Sequence, residues 1–529
     1  MEYKLCILAA GLGKRMQYLT KNINKALLPI NSKAAISHII EKHEKDIEIV
    51  VAVNYQSEKI KQYLSCAHPE RKITFVEVPT ITQLGSGPGF SLICCEKYLN
   101  IPFILSTVDT LFIENCPLPI TNWMGVDHIE DPTNFCTILL DKEKNNIKSF
   151  IEKNKNGSDL AFIGIAGIKD YKEFFLSLKN DNSETNGEIQ VSNGFKGLLK
   201  QELKAKKFSW FDVGNIEGYK LTNNFFSKDK NSFDFSKNDE YIYFVNNYVI
   251  KYFADTEIVS NRVKRSEILG ELSPKINRKS NYFYSYEMLN GKVFYDQKDK
   301  SLVKILLKWL HKELWVKKQI QAQKKIEFVK ACRNFYYKKT INRLKEYYSR
   351  FNVSDQISFI NGFKIEKVSH LMEQIDFDWL SQGLPTIFHG DLQFDNILVT
   401  DDKKFKLLDW RQDFAGLTDY GDMYYDLAKL NGGLYISYKK IKQNKFQINF
   451  SEDKVNLSSE KDEFLIYSKK IFNIFVKENN LDLKKIEILT GLIYLNMSPM
   501  HHYPFSHYVY HLGKAQLHKW ITNNKTLSS

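Results

Sequence analysis

Two stretches of the chain carry residue types that suit the handling of phosphate. Near the start, Leu8, Ala9, Ala10, Gly11, Leu12, Gly13, Lys14, Arg15 and Met16 follow one another directly. Gly11 and Gly13 let backbone N–H groups approach phosphate oxygens closely, and a following helix N-terminus favours negative charge. Arg15 adds a bidentate phosphate donor, and Lys25 downstream adds a second cation. Far along the chain, His389, Gly390 and Asp391 precede Asn396, and Asp409 ends the next apolar segment. That spacing suits phosphoryl transfer from ATP. Asp391 would orient a hydroxyl and accept its proton, while Asn396 and Asp409 would hold Mg2+ on the ATP phosphates. Together the two stretches suggest consecutive steps: a phosphate placed on a small molecule, then a nucleotide placed on that phosphate.

The elements around each stretch fit these tasks. Apolar runs at residues 3–8, 47–53, 72–78 and 103–107 read as strands, with helices expected at 34–43 and 58–64. Such alternation over residues 1–225 predicts a mostly parallel sheet covered on both faces, with ligands beyond the strand C-termini. Residues 227–238 are rich in Ser, Lys, Asp and Asn and read as a linker. Two apolar strands follow, with Asn246 and Asn247 forming a tight hairpin turn between them. A helix is expected over 256–272, and from residue 302 onward the chain reads as mainly helical, interrupted by the segment from His389 to Asp409.

A chain of 529 residues suggests two to four domains. Apolar and aromatic contents of 43% and 14% argue against wholesale disorder. No apolar run is long enough to span a bilayer, so no membrane insertion is expected. The N-terminus carries no leader pattern, and the seven cysteines lack metal-type spacing, so a cytoplasmic protein with reduced thiols is expected. The net charge of +13 is spread widely along the chain. With no recognisable nucleic-acid module beside it, this charge points to anionic nucleotides rather than to DNA or RNA. His501, His502 and His507 lie among aromatic residues and read as packing or pocket lining rather than as a metal site.

The first stretch, followed by Lys25 and Pro29, resembles the signature of the sugar-nucleotidyltransferase family. The likeness implies further residues in order. Leu8, Ala10, Gly11 and Gly13 would contact the nucleotide, and Gln83, Gly85, Ser86 and Gly87 would form the base-binding loop. Asp109 and Asp212 would be the two metal carboxylates, although Val108 stands where that family has glycine. Lys153 would contact the acceptor phosphate, and Gly164 would line the substrate. Lys and Arg are needed because nucleophile and electrophile are both anionic, and Mg2+ between two carboxylates bridges phosphate oxygens. Catalytic roles therefore fall to Arg15 and Lys25.

The second stretch resembles the aminoglycoside phosphotransferase and choline kinase family, a branch of the protein-kinase-like fold. There Lys251 is the candidate for the ATP α- and β-phosphates, with Glu267 as its partner and Glu271 as competitor. Glu287 and Met288 resemble the hinge that receives adenine, and Asp422 is expected at the substrate.

The expected fold is α/β. A Rossmann-like nucleotidyltransferase domain with a mixed sheet covers residues 1–230. A two-lobed, protein-kinase-like α+β domain covers 237–529, with a small lobe to about 295 and a helical large lobe beyond. The expected activity is bifunctional. A sugar, polyol or amino alcohol is phosphorylated with ATP, then joined to a nucleotide from a second NTP (CTP, GTP, UTP or dTTP), each step with its own Mg2+. Pyrophosphate is released, and the product serves surface-polysaccharide assembly. Alternatives are a choline or ethanolamine kinase fused to a cytidylyltransferase, or a chain with one dead, regulatory domain. A homo-oligomer remains open.

Overall fold

The computed structural model describes residues 2–79, 86–141, 145–227, 239–460 and 462–522. Gln83, Gly85 and nearly all of the expected linker lie outside them. The chain divides into two compact units. One comprises Met1–Lys230, Lys237–Asp255 and Arg278–Ser285; the other comprises Asn231–Ser236, Thr256–Asn277 and Tyr286–Ser529.

The first unit is built on a nine-stranded sheet. Its strands are β1 (Lys4–Leu8), β2 (Glu48–Val53), β3 (Ile73–Glu77), β4 (Phe103–Thr107), β5 (Asn122–His128), β6 (Cys136–Asp141), β7 (Asn146–Glu152), β8 (Leu160–Ile168) and β9 (Leu203–Lys207). Their order is β3-β2-β1-β4-β8-β5-β9-β7-β6. The first four strands are parallel, β8 runs against β4, and β5 pairs antiparallel with β8 and parallel with β9. The sheet is therefore mixed, as expected. Along β1, Leu5 and Ile7 enter one core cluster while Cys6 and Leu8 enter another. Burial on both faces explains the unbroken apolar run of this strand. The helices Ser57–Ala67 (α1) and Pro88–Cys95 (α2) also pack here, and Ile216–Phe226 (α3) follows the last strand segment. Leu8 lies opposite Thr107 in the β1–β4 register. The glycine turn and Asp109 thus leave neighbouring strands at the same end of the sheet.

The hairpin β10 (Glu240–Val245) and β11 (Tyr248–Phe253), expected as the start of the small lobe, clusters with this first unit. Asn246 and Asn247 both have positive φ, as a tight hairpin turn requires. Tyr241, Tyr243, Val245, Ile250, Tyr252 and Phe283 join the core cluster that also holds Leu5 and Tyr63. Each tyrosine that enters this core needs an acceptor for its hydroxyl. Tyr243 donates to the Leu27 carbonyl at 2.7 Å, and Tyr252 donates to the Asn22 carbonyl at 2.6 Å.

The second unit contains the helices α4 (Thr256–Leu269), α5 (Lys339–Phe351), α6 (Met423–Tyr435), α7 (Glu463–Glu478), α8 (Leu483–Met497) and α9 (Phe505–Ile521). A wide π-type turn, Asn334–Lys338, leads into α5. One part departs from the helical expectation. Phe446–Ser451 and Lys454–Ser459 form a hairpin in a four-stranded sheet with Ser358–Ile360 and Phe363–Ile365. Phe446 and Ile448 are buried while Gln447 and Asn449 are exposed, an alternation of period two that marks a strand rather than a helix. Among the described residues, no helix is long and apolar enough to cross a membrane.

Candidate active sites

In the first unit, Gly13 adopts a left-handed conformation (φ 65°) and opens the short 3-10 segment that carries Arg15. The space beside Gly11 is open. Asn24 pins this turn from below. Its Nδ2 donates to the carbonyls of Ala9 (3.1 Å) and Tyr55 (2.8 Å), and its Oδ1 accepts the Ala26 N–H. That cap fixes the short Lys25–Leu27 helix and aims Lys25 at Asp109, with Nζ to Oδ2 at 2.5 Å.

Asp109 and Asp212 come from distant segments that the sheet draws together. Thr110–Phe112 pairs antiparallel with Trp210–Asp212, and the Val213 N–H donates to the Asp109 carbonyl at 3.0 Å. A Cβ on Gly214 would lie 2.9 Å from Asp212 Oδ1, 3.0 Å from Arg15 Nη2 and 3.2 Å from Asp109 Oδ2. The two carboxylates and the guanidinium therefore converge on one point that only glycine leaves clear. Asp212 is oriented by the Gly214 N–H (2.7 Å) and by Asn215 Nδ2 (2.9 Å).

Burial pushes the Asp109 carboxyl up, but the ammonium of Lys25, the Thr107 hydroxyl and Arg15 outweigh it and hold it at about 2. Burial raises Asp212, and the Asp109 charge adds to the rise. The pair thus splits into one carboxylate held ionised and one whose charge is costly. A hard divalent cation relieves that cost. Two carboxylates plus substrate phosphates are the oxygen donors that Mg2+ takes.

The other expected residues of this site take distinct places. Gly164 has φ 92°, and a side chain there would collide with the hydroxyl of Thr107. Lys153 sits beside Glu188 at 3.4 Å, and Glu188 bridges to Ser86, whose carbonyl accepts the Ile189 N–H at 2.7 Å. A Cβ on Gly87 would lie 2.7 Å from Glu188 Cβ, so the described end of the loop rests on this segment.

In the second unit, the His389–Asp391 turn is built on a buried carboxylate. Asp426, on α6, accepts the N–H groups of His389 (2.7 Å) and Gly390 (2.6 Å), and Trp315 Nε1 at 3.3 Å. Burial raises Asp426 to about 6 despite those donors. His389 is fully buried, and its Nε2 lies 2.8 Å from the Leu408 carbonyl. Burial lowers it to about 4, so it is a neutral brace rather than a proton carrier. Asn396 Nδ2 donates to the Asp391 carbonyl at 2.8 Å, and the Leu408 N–H donates to the Asn396 carbonyl at 2.8 Å. These bonds hold Asp391, Asn396 and the strand end before Asp409 as one piece. Asp409 itself has φ 57° and pairs with Arg262 of α4 at 2.5 Å. Asn396 and Asp409 supply an amide oxygen and a carboxylate, donors that suit Mg2+ on triphosphate oxygens, and Asp391 offers a separate carboxylate on the same loop.

Four residues here escaped the sequence reading. Lys429 Nζ lies 2.6 Å from Asp391 Oδ1. Burial pushes Asp391 up, but this ammonium outweighs it and holds the carboxyl below its ordinary range. Arg262 engages Asp409. The guanidinium of Arg265 lies 3.6 Å from the centre of the Phe388 ring and donates to the carbonyls of Phe388, Arg411 and Thr418. Asp426 is the fourth. One local signal was Asp426 and Lys429 on one face of α6, a single turn apart.

Asp422 needs correction. It is fully buried and caps α6 by accepting the Tyr424 N–H, while the Leu384 N–H and the Tyr336 hydroxyl also donate to it. No oxygen of it is left to face a substrate. Glu267, Glu287 and Met288 are exposed, and Lys251 is buried on β11. Among the described residues, no group of three or more His, Cys, Asp or Glu that could hold a metal ion is found.

The two units thus pair a carboxylate-and-cation centre at the mouth of a mixed α/β sheet with a His-Gly-Asp loop braced by helices. They define a chain of two transferase-type parts. Residues 250–435 match the model of the phosphotransferase enzyme family. The N-terminal region matches sugar-phosphate nucleotidyltransferases. It is 34% identical over 215 residues to the bifunctional protein GlmU of Methanocaldococcus jannaschii, covering 39% of this chain and 50% of that protein. It is 29% identical over 217 residues to the GlmU of Methanococcus aeolicus, covering 39% and 50%. The chain spans about half the length of these curated relatives. A crystal structure of UDP-glucose pyrophosphorylase with UDP-glucose aligns over 43% of this chain and 98% of its own, at 20% identity and a TM-score of 0.39.

Proposed function

We propose that the chain is a bifunctional enzyme whose second unit phosphorylates a small hydroxyl compound with ATP. The first unit then transfers a nucleotidyl group from an NTP to that phosphate and releases pyrophosphate. The product is an activated precursor of the kind that feeds surface-polysaccharide assembly. The observation that carries this reading is the recurrence of one arrangement: an ionised aspartate with a lysine ammonium on it, Lys25–Asp109 in one unit and Lys429–Asp391 in the other.

In the second unit, Asp391 accepts the acceptor's hydroxyl proton, and Lys429 keeps its carboxylate ionised and aimed. Asn396 and Asp409 would hold Mg2+, which neutralises charge on the ATP phosphates when bound. In the first unit, Arg15 and Lys25 offset the repulsion between the two anionic reactants, and the glycine turn receives the triphosphate. Asp109 and Asp212 would hold a second Mg2+. Lys153, Gly164, Ser86 and Gly87 belong to the acceptor and base sides of this site. Glu287 and Met288 contact ATP for the kinase step.

Purified full-length chain, incubated with ATP, each of CTP, GTP, UTP and dTTP in turn, and a panel of hydroxyl compounds, tests the reading. ADP and pyrophosphate should both appear with one acceptor and one NTP. Pyrophosphate without any requirement for ATP and acceptor together would sink the two-step order.

A further inference from the structure

Next to Asp391 lies a group of cations with too few anions. Lys339, at the start of α5, has its ammonium 4.0 Å from the centre of the Phe335 ring, and the Arg411 guanidinium lies 5.0 Å from the same ring. Phe335 sits on the wide turn Asn334–Lys338 and meets Tyr425 of α6 edge-on at 4.9 Å. Such turns are over-represented at functional sites. Tyr425 is one turn before Lys429, whose ammonium holds Asp391. Arg411 borders the catalytic loop: its N–H donates to the His389 carbonyl at 2.9 Å, and a Cβ on Gly390 would lie 2.6 Å from Arg411 Cβ.

Among the described residues, no hydrogen bond or ion pair takes up the Lys339 ammonium. The Arg411 Nε–H is buried without an acceptor. Burial drives the Lys339 amine well down, and Arg411, Arg343 and Lys429 drive it further. Asp413 acts the other way and more weakly than these three cations. Arg343 is answered by Glu346 at 2.8 Å, and Asp413 is already accepting the Gly416 N–H at 2.9 Å. A half-buried ammonium crowded by cations is unfavourable, and an aromatic face offsets only part of that cost. An anion arriving between Lys339 and Arg411 relieves it.

We infer that the small molecule phosphorylated here carries its own anionic group, a carboxylate or a phosphate, held by Lys339 and Arg411 while its hydroxyl faces Asp391. The substrate class is thus a hydroxy acid or a phosphorylated polyol rather than an amino alcohol or a neutral sugar. This rests on the phosphotransferase reading of the second unit. In the step, the acceptor hydroxyl oxygen bonds to the γ-phosphorus and the bond to the β–γ bridging oxygen breaks. ADP leaves with that electron pair, and the hydroxyl proton passes to Asp391.

The same anion chemistry is present in the γ-phosphate of ATP, so the test separates the two sources. ADP release by the full chain is measured with matched sets: D-glycerate, glycerol and serinol, and gluconate, glucitol and glucamine. An acid is expected to raise turnover at lower concentration than its neutral and amino partners. Lys339→Met should raise the KM for that acid about 10- to 100-fold, the loss of one charge-assisted hydrogen bond. The KM for ATP should change less than about twofold, and Lys339→Arg should recover part of the loss. Arg411→Gln should act in the same direction if Lys339→Met folds poorly. Preference for a neutral or amino partner, no response to any acid, or a shift confined to the ATP KM would each overturn the inference. Slow ATP hydrolysis that survives Asp391→Ala would instead remove the phosphotransferase reading beneath it.

Discussion

Both units place a lysine ammonium on an aspartate, at 2.5 Å in one and 2.6 Å in the other, yet they treat the second acid differently. In the first unit, Asp212 stands open beside Asp109, and its charge is disfavoured by burial and by its neighbour. In the second, Asp409 is already matched by Arg262. On the proposed reading, the first centre would take a cation from outside, whereas the second holds its acid in an internal ion pair that would have to open for a metal. On the proposed reading, the same pairing would serve two purposes: keeping a ligand ionised in one unit and orienting a base in the other.

The sharpest way to break this comparison is to remove one acid at a time. Asp391→Ala should lower acceptor-dependent ADP release by about 10²- to 10⁴-fold and leave pyrophosphate release from added acceptor phosphate intact. Asp109→Ala should do the reverse. A variant that damaged both reactions equally would mean that the two centres are not separate.

A smaller effect is expected from Gly214→Ala. Its methyl would press on Asp212, Arg15 and Asp109 at about 3 Å. Pyrophosphate release should fall about 10- to 100-fold, because displacing catalytic groups by an ångström has that cost. Thermal melting should move little, and unchanged kinetics would show that the point of convergence is not where reaction occurs.

Smaller again is a pH effect on stability. Asp426 is raised from 3.8 to about 6, so the folded chain retains a proton there that the unfolded chain has released. Stability should fall as pH rises from about 4 to 6, by roughly 3 kcal/mol at this group, and stay level above. In Asp426→Asn that slope should vanish from urea unfolding curves. An unchanged slope would place the titration elsewhere. The smallest effect is expected from Glu267→Ala. An exposed helix carboxylate should cost within about 0.5 kcal/mol and barely alter the ATP KM. A tenfold rise in that KM would favour Glu267 as a nucleotide-site residue.

Much of the first centre was readable because its residues sit at strand ends, where short-range pattern reports position. Lys25 follows the glycine turn closely, and Asp109 and Asp212 each close an apolar segment. The second centre was readable only along its loop. Lys429, Arg262 and Asp426 reach it from helices whose own sequence reports amphipathicity, not direction, and only packing makes them neighbours. Asp422 misled for the converse reason. A Gly-Asp pair looks available for binding, and nothing local reveals that Tyr336, Leu384 and Tyr424 close around it. The hairpin Phe446–Ser459 was missed because a helical reading of its surroundings overrode an alternation of only a few residues.

The tyrosine-bearing hairpin of residues 240–253 has a practical consequence for anyone dividing this gene. A fragment stopped near residue 230, at the obvious polar seam, would lack Tyr241, Tyr243, Ile250, Tyr252 and Phe283 from its interior. Their absence would bare the flank around Tyr63 and Ile60 to water and leave the carbonyls of Leu27 and Asn22 without their phenol donors. The expected outcome is an aggregating half-protein. Because residues 256–277 of the other unit fall, in sequence, between segments of this one, no single break in the chain yields both units intact, and inheritance of the two units is tied to one uninterrupted reading frame.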